Sequence, residues 1–307
     1  MEHRPFYSVN QYYRELFGDK VYKISLNAGM TCPNRDGTID TRGCIFCSAG
    51  GSGDFAADPH TSISSQIDSG IKLVSSKYKG GKYIAYFQAF TNTYAPVDRL
   101  RNIFYCAVRD PRIVGLSVAT RPDCLEPEKI ELLTEINRLK PVWVELGLQT
   151  IDEAAAQYIR RGYPLSVYED ALTRLKAACL PVVTHIIVGL PHVTHESHTA
   201  CAKYLAGLHP HGVKLQLLHV LKGTDLEDEY ASGKFEILSA EEYVSTIVDM
   251  IELLPEDMVI YRITGDGPRK LLIAPMWSTD KKKILNSVSR EFRLRNTYQG
   301  KRYHNGC

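Results

Sequence analysis

The sequence predicts an α/β protein built on a partial (β/α)6 barrel with a C-terminal extension. Strand-length apolar runs alternate with helical stretches at a regular spacing. Each run is almost continuously apolar, which is typical of strands buried on both faces of a parallel sheet. Polar residues recur at the C-terminal ends of these runs, where a (β/α) barrel gathers its active site. No Gly-x-Gly-x-x-Gly or Walker sequence follows a strand, so a flat nucleotide-binding sheet is disfavoured.

The predicted elements follow one another without a long linker. A short amphipathic helix over 9–17 precedes the first strand at 21–29. The other five strands are predicted at 83–90, 113–120, 142–149, 182–190 and 212–220. Helices are predicted before these strands at 62–78, 97–108, 126–139, 165–179 and 194–208. We therefore expect an N-terminal helical segment at 1–20, a core at 21–235 and an extension at 236–307, with a further strand within 258–277.

Length and composition set the broad class of the protein. The 307 residues are 44% apolar and 23% charged, as in an ordinary globular protein. No run approaches the roughly 18 apolar residues that cross a bilayer, and the first ten residues lack the apolar core of a signal peptide. We expect a cytoplasmic protein without a membrane partner, whose eight cysteines are reduced.

A loop over 27–60 follows the first predicted strand and contains a cysteine motif. Cys32, Cys44 and Cys47 are spaced C-x11-C-x2-C. The proline, asparagine, aspartate and glycine residues between them favour turns over a regular helix or strand. Three thiolates at such a spacing indicate a metal site rather than a disulfide.

Two kinds of metal site remain open on spacing alone. A structural zinc ion needs a fourth ligand, and His60 is the nearest downstream candidate. An iron–sulfur cluster held by three cysteines instead leaves one iron open for a substrate or cofactor. In that case the apolar Phe46 would shield the cluster from water.

Polar side chains accompany the predicted strands from the second to the sixth. Glu145 and Gln149 are four apart on one strand, so they point to the same face. Any one of these residues could be a hydrogen-bonded core group, but their recurrence on successive strands favours a shared polar cavity. The residues concerned are Gln88, Thr120, Glu145, Gln149, His185, Lys214 and Gln216.

The C-terminus is strongly basic. Between 281 and 303 there are eight lysine and arginine residues against Glu291, so the net charge is 8 − 1 = +7. Lys283, Arg290 and Arg293 recur at helical spacings, so these charges can form one face. Charge alone leaves an anionic partner and a solvated basic helix equally open. Upstream, the segment 258–277 supplies three further candidates for the cavity wall, namely Arg262, Asp266 and Arg269.

Several linked motifs resemble those of the radical S-adenosylmethionine (SAM) enzymes. They are CPNRDGT, RGCIFC, YFQAFTNTYAP, VATRPDC, VELGLQT, HIIVGLP and KLQLLHVLKGT. Within that superfamily the chain looks most like the branch typified by the bacterial YtqA and YhcC proteins, which is related to the catalytic domain of Elp3. The resemblance implies that Cys32, Cys44 and Cys47 hold a 4Fe-4S cluster and that the amino and carboxylate groups of SAM chelate its fourth iron.

The resemblance also implies roles for residues beyond the cysteines. Gln88 and Ala89 occupy the place of the second-strand motif that meets the SAM amino group. Glu145 and Gln149 match a polar pair near SAM or substrate, and together with the cysteines they form the predicted catalytic set. The other predicted cofactor contacts are Phe46, Thr120, His185, Gly189, Leu190 and Gln216. The predicted substrate contacts are Lys214, Arg262, Asp266 and Arg269.

The activity implied is reductive cleavage of SAM to a 5'-deoxyadenosyl radical that attacks tRNA. The segments TGDGP, PMWS and QGK look like those of YtqA-type proteins, which are associated with the wobble uridine. The expected reaction converts a carboxymethylaminomethyl group into an aminomethyl group. Expected partners are tRNA, an electron donor such as flavodoxin or ferredoxin, and a downstream methyltransferase. A radical SAM enzyme acting on a small molecule or protein, and a zinc-stapled RNA-binding protein, are the alternatives.

Overall fold

The computed structural model describes residues 5–304, and its centre is one parallel sheet whose strand order equals the chain order. The seven strands of this sheet are β1 Tyr22–Leu26, β2 Tyr83–Phe87, β3 Ile113–Thr120, β4 Val142–Gln149, β5 Val182–Val188, β6 Gly212–Leu217 and β8 Val259–Arg262. A separate antiparallel pair is formed by β7 Val220–Leu221 and β9 Leu272–Ala274. The α/β class and the barrel-like parallel sheet are therefore as the sequence predicts.

The further strand predicted within 258–277 is present as β8, and it joins the six predicted strands as a seventh strand of the same sheet. This strand pairs in parallel with β6, with Gly212 opposite Val259. Val259, Ile260 and Tyr261 are all buried, so the short apolar run covers an edge of the sheet that would otherwise face solvent. The extension thus contributes directly to the central sheet.

Helices pack around the sheet. They are α1 Val9–Phe17, α2 Ile63–Val74, α3 Val97–Val108, α4 Pro127–Asn137, α5 Glu153–Tyr158, α6 Leu165–Ala177, α7 His195–Leu208, α8 Asp225–Ala231, α9 Ala240–Glu252 and α10 Lys281–Leu294. The sequence patterns did not reveal α5, α8 or α9. The first two have only 6 and 7 residues, too short to show a clear helical period. The third begins at a capping box of Ser239 and Glu242, a signal that was available in the sequence.

The inner face of the sheet is closed at its N-terminal end by aromatic rings. Tyr13 of α1 lies 5.4 Å from Trp143 of β4 and 6.2 Å from Tyr261 of β8, measured between ring centroids. All three side chains are buried. Because this end is sealed, the polar interior opens only toward the C-terminal ends of the strands.

No helix in the described part of the chain is long and apolar enough to cross a membrane. The predicted segment 1–20 begins with four residues that lie outside the described range, and the predicted extension ends with three that do.

Candidate active site

A cavity of about 840 Å³ opens at the C-terminal ends of the strands, with lining residues from all seven. Its wall also includes the cysteine loop that follows β1 and the segment that follows β8. Since β1 and β8 are the two edge strands, these segments approach the cavity from opposite edges of the sheet.

Cys32, Cys44 and Cys47 all line this cavity. The proximity of the Cys44 and Cys47 thiols lowers the pKa of Cys47 and raises that of Cys44. Nδ2 of Asn34 lies 3.6 Å from the Cys44 sulfur. Cys47 is therefore the more readily deprotonated of the two, and a metal ligand requires the thiolate.

The cysteine loop is held by side-chain donors rather than by regular secondary structure. Nη2 of Arg35 donates to the carbonyls of Cys47 at 2.9 Å and Ser48 at 2.7 Å. From the segment after α5, Nε of Arg160 donates to the Gly43 carbonyl at 2.8 Å. These two arginines did not stand out in the sequence, because nothing in their spacing distinguishes them from surface charges.

The donor set of the loop fits an iron–sulfur cluster. Three soft thiolate donors at the wall of a large cavity are typical ligands of such a cluster. Within residues 5–304, no three histidine, cysteine, aspartate or glutamate side chains are grouped to hold one metal ion. A cluster is compatible with that arrangement, because its ligands bind different irons. The zinc candidate His60 is exposed and does not line the cavity.

Glu145 is the centre of a charged network at the cavity floor. Its carboxylate accepts hydrogen bonds from Ser117 Oγ at 2.6 Å and from the ammonium groups of Lys23 and Lys214, and it contacts His185 Nε2 at 2.8 Å. Burial alone would raise the pKa of Glu145, but the two ammonium groups outweigh it and hold that pKa well below its ordinary value. The carboxylate is therefore ionised.

The basic members of this network respond to burial in the opposite sense. Burial lowers the pKa of Lys214 to about 7, although Glu145 opposes the shift. Burial also lowers the pKa of His185 to about 4, so this imidazole is neutral at pH 7. Nζ of Lys214 also lies 3.2 Å from the hydroxyl of Tyr86, which lines the cavity.

Two buried polar atoms of the cavity residues have no partner among residues 5–304. They are Oε1 of Gln149 and Nε2 of His219. Gln149 has a φ of +69°, and the pairing register shifts between Gly147 and Gln149. Because buried polar atoms are normally hydrogen-bonded, these two indicate where a bound molecule meets the protein.

The segment after β8 adds charge to the opposite wall. Arg262 lies 3.6 Å from Asp266, whose carboxylate also accepts hydrogen bonds from Lys281 Nζ at 2.7 and 2.9 Å. Arg269 donates to the Thr279 carbonyl at 3.5 Å. All four charged side chains line the cavity, including that of Lys281, which the sequence groups with the basic C-terminus.

The basic face at the C-terminus is narrower than its sequence indicates. Arg295 pairs with Asp249 at 3.0 Å, and Arg302 pairs with Asp249 at 3.3 Å and Glu252 at 3.2 Å, so these charges are neutralised by α9. One face of α10, the basic α10 face, keeps four cations and one acid. Its charged residues are Lys282, Lys283, Arg290, Arg293 and Asp280.

Family models match most of this chain. The model described as "Radical SAM superfamily" matches residues 39–205, and the one described as "Radical_SAM C-terminal domain" matches residues 210–293. The chain belongs to the radical SAM superfamily. Members of this superfamily bind a 4Fe-4S cluster and SAM, in agreement with the donor set of the cysteine loop.

Individual radical SAM relatives agree with the resemblance seen in the sequence. YtqA of Bacillus subtilis is 44% identical over 296 residues, which are 96% of this chain and 92% of YtqA. The tRNA uridine(34) acetyltransferase of Dehalococcoides mccartyi is 28% identical over 53% of this chain and 36% of its own. The structure of Elp3 from the archaeon Methanocaldococcus infernus has a TM-score of 0.67 at 17% identity and covers 91% of this chain and 64% of that one. The last comparison confirms the fold.

Most of the predicted site residues meet in the cavity of this radical SAM protein. Those that line it are Cys32, Cys44, Phe46, Cys47, Gln88, Thr120, Glu145, Gln149, His185, Gln216, Arg262, Asp266 and Arg269. Four others do not. Ala89 is buried against Gly53. Gly189 and Leu190 are buried just after β5. The ammonium group of Lys214 lies behind Tyr86 and Glu145. Sequence patterns missed Tyr86, which lines the cavity, and Lys23 and Ser117, which bind Glu145 from behind the floor.

Proposed function

We propose that Cys32, Cys44 and Cys47 hold a 4Fe-4S cluster with SAM on its open iron, and that the enzyme modifies tRNA. The observation that carries this proposal is the convergence of three thiols on one cavity of about 840 Å³. That volume lies within the range of pockets that enclose a small-molecule ligand. Gln149 Oε1 and His219 Nε2 offer two buried polar atoms to the cofactor or substrate.

With an electron from a flavodoxin-like or ferredoxin-like donor, the bound cofactors supply a 5'-deoxyadenosyl radical, which removes a hydrogen atom from substrate. The chain supplies the enclosure. Trp143 and the rings around it seal one end of the barrel, and Phe46 lies at the cavity wall between two cysteines. Exclusion of water protects a reactive radical from side reactions.

Two observations support tRNA as the substrate. A relative that shares about half of this chain is named for uridine 34 of tRNA. The basic α10 face begins at Asp280, next to Lys281 and Thr279 of the cavity rim. Lysine and arginine side chains in a row bind nucleic-acid phosphates without reading sequence. An RNA backbone bound on α10 therefore brings a neighbouring nucleotide to the cavity.

The reaction we propose converts carboxymethylaminomethyluridine into aminomethyluridine. A hydrogen atom is removed from the methylene between nitrogen and carboxylate, which leaves a carbon radical. Loss of one electron and one proton then forms a carbon–nitrogen double bond, and water hydrolyses this imine to the amine and glyoxylate. The electron released equals the one consumed in SAM cleavage, so no further oxidant is required.

The test uses an anticodon stem-loop whose methylene carries two deuterium atoms, incubated anaerobically with iron-reconstituted enzyme, SAM and reductant. We expect deuterium in 5'-deoxyadenosine, release of glyoxylate and an aminomethyl product. Cys44→Ala should abolish all three. Cys106→Ala, which removes an exposed thiol on α3, serves as the matched control and should retain them.

Three results would contradict the proposal, each in a different way. Deuterium that never enters 5'-deoxyadenosine would exclude abstraction at this methylene. Stoichiometric zinc, with no reduced-cluster signal in electron paramagnetic resonance, would leave a metal-stapled RNA-binding protein. SAM cleavage that is stimulated by small molecules or proteins but never by RNA would identify a different substrate class.

A further inference from the structure

The charged groups on and behind this part of the cavity wall carry more positive than negative charge. Lys23 and Lys214 share the single carboxylate of Glu145, and Arg262 and Lys281 share that of Asp266. Burial lowers the pKa of Lys214 to about 7, so even with this amine neutral three cations face two carboxylates. His185 and His219, with pKa values lowered by burial to about 4, add no charge near neutral pH. Because buried charges are costly unless they are balanced, this excess favours an anion in the cavity.

Arg262 is the member of this group best placed to meet a ligand. It lines the cavity, and its side chain keeps 35% of its exposure. Its one ion pair among residues 5–304 is the 3.6 Å contact with Asp266, whose closer partner is Lys281 at 2.7 Å. Most of the guanidinium donors of Arg262 are therefore available to a bound molecule.

Lys23 and Lys214 stand behind the floor rather than on the cavity wall. Their ammonium groups are bonded to Glu145, and Lys214 reaches the cavity only through the Tyr86 hydroxyl at 3.2 Å. The register of the sheet places Lys214 directly opposite Arg262 on the neighbouring strand. The two lysines thus reinforce the positive potential at Arg262 without occupying the ligand's space.

We propose that Arg262, reinforced by Lys23 and Lys214, forms a subsite for the carboxylate of the substrate. A guanidinium binds a planar carboxylate through two parallel hydrogen bonds, a geometry that an ammonium cannot reproduce. This inference rests on the proposed function, in which the uridine side chain ends in a carboxylate next to the reacting methylene. Anchoring that carboxylate holds the methylene inside the cavity that the three cysteine thiols line.

The test compares an acid with its neutral amide in two pairs of ligands. One pair is the anticodon stem-loops with carboxymethylaminomethyluridine or with its carbamoyl analogue, and the other is the corresponding free nucleosides. Dissociation constants are measured with SAM present and reductant absent, so that no turnover occurs. We expect the wild type to prefer each acid over its amide roughly 10- to 100-fold, the range expected for hydrogen bonds to a charged group.

Three variants locate the source of that preference. Arg262→Gln should remove the preference for the acid. Arg262→Lys should keep only part of this preference, because an ammonium lacks the two parallel donors of the guanidinium. Lys270→Gln is the matched control, since Lys270 is exposed in the same segment but does not line the cavity. It should keep the full preference. Cleavage of SAM to 5'-deoxyadenosine without RNA verifies that each variant is folded and loaded.

The proposal is overturned if the wild type binds acid and amide nucleosides equally or if Arg262→Gln keeps the preference. Failure of the proposed function is read separately, as the absence of deuterium transfer or of RNA binding. Because the nucleoside comparison needs neither turnover nor RNA docking, the two failures are distinguishable.

Discussion

Gly162 lies directly against the side chain of Asn34, the residue whose amide reaches the sulfur of Cys44. A β-carbon added at Gly162 would come within 2.5 Å of Asn34 Oδ1. The same amide donates to the Arg160 carbonyl at 2.7 Å. Asn34 therefore connects the segment after α5 to the cysteine loop, and its side chain fits there because Gly162 has no β-carbon.

Gly162→Ala should disturb the cysteine loop. The residue has a φ of +82°, which costs a non-glycine residue about 1 to 2 kcal/mol, and the new methyl group would push Asn34 away from Cys44. We expect a lower iron content after reconstitution and a lower thermal midpoint. The control is Gly233→Ala, at a φ of +70° with no atom within 4 Å of the added carbon. It should lose stability but keep its iron; equal iron loss in both variants would contradict the role of Asn34.

Glu145→Gln should destabilise the barrel strongly. The substitution leaves the ammonium groups of Lys23 and Lys214 buried without a carboxylate, and breaking a buried pair costs about 3 to 5 kcal/mol. The free energy of unfolding, measured by urea denaturation, is the readout. Adding Lys214→Met to the same chain should recover part of the loss, because one unpaired charge is removed. Additive losses in the double variant would argue against this charge balance.

Lys214 should make stability depend on pH. Its pKa is about 7 in the folded protein against an ordinary value of 10.5, so between these values the unfolded chain binds a proton that the folded protein releases. The free energy of unfolding should therefore rise with pH, by at most about 1.4 kcal/mol per unit. Denaturation at pH 7, 8 and 9 should give a smaller rise for Lys214→Met than for the wild type. The other charged and titratable groups around this amine are present in both proteins; they are Lys23, Tyr86, Glu145, His185 and Arg262. Equal slopes would mean that Lys214 stays protonated.

Replacing two lysines of the basic α10 face should weaken RNA binding and make the binding constant less sensitive to salt concentration. Each phosphate contact contributes roughly 0.7 to 0.9 to the slope of log K against log salt concentration. Lys282→Gln with Lys283→Gln should therefore reduce the slope by roughly 1.4 to 1.8. The matched control is Lys72→Gln with Lys77→Gln, two exposed lysines in and just after α2. Titration of a labelled anticodon stem-loop between 50 and 200 mM salt, about the range over which such slopes are resolved, supplies both values. An unchanged slope would place the RNA elsewhere.

Local patterns in the sequence were sufficient for much of the fold. The predicted bounds 9–17, 97–108, 113–120 and 142–149 coincide with α1, α3, β3 and β4. The second strand was predicted too long, to residue 90, whereas β2 ends at Phe87. Beyond it the chain turns away, since Gln88 Nε2 donates to the Ser52 carbonyl at 2.9 Å and Phe90 has a φ of +59°. Such a contact with a distant loop leaves no mark on the apolar run itself.

The candidate site divides in the same way. Local spacing identifies the three cysteines, and their position at the ends of apolar runs identifies the polar residues of the strands. No local pattern identifies Lys23 as a site residue, because it lies near the N-terminal end of β1 and its partner Glu145 is 122 positions away in the sequence. Its long side chain carries a charge from the N-terminal end of β1 to a site that the other strands form at their C-terminal ends. The neutralisation of Arg295 and Arg302 by α9 was hidden for a similar reason, since their partners are about 50 positions away.

The sheet begins at β1 and ends at β8 without returning to its first strand. The two edge strands are therefore followed by different segments, the cysteine loop after β1 and the segment after β8, and both line the cavity. In a closed barrel these two segments would follow hydrogen-bonded neighbouring strands. In the open sheet, a molecule bound in the cavity mouth would contact segments that belong to the first and the last strand of the sheet. The open sheet thus lets two parts of the chain that are far apart in sequence hold the same substrate.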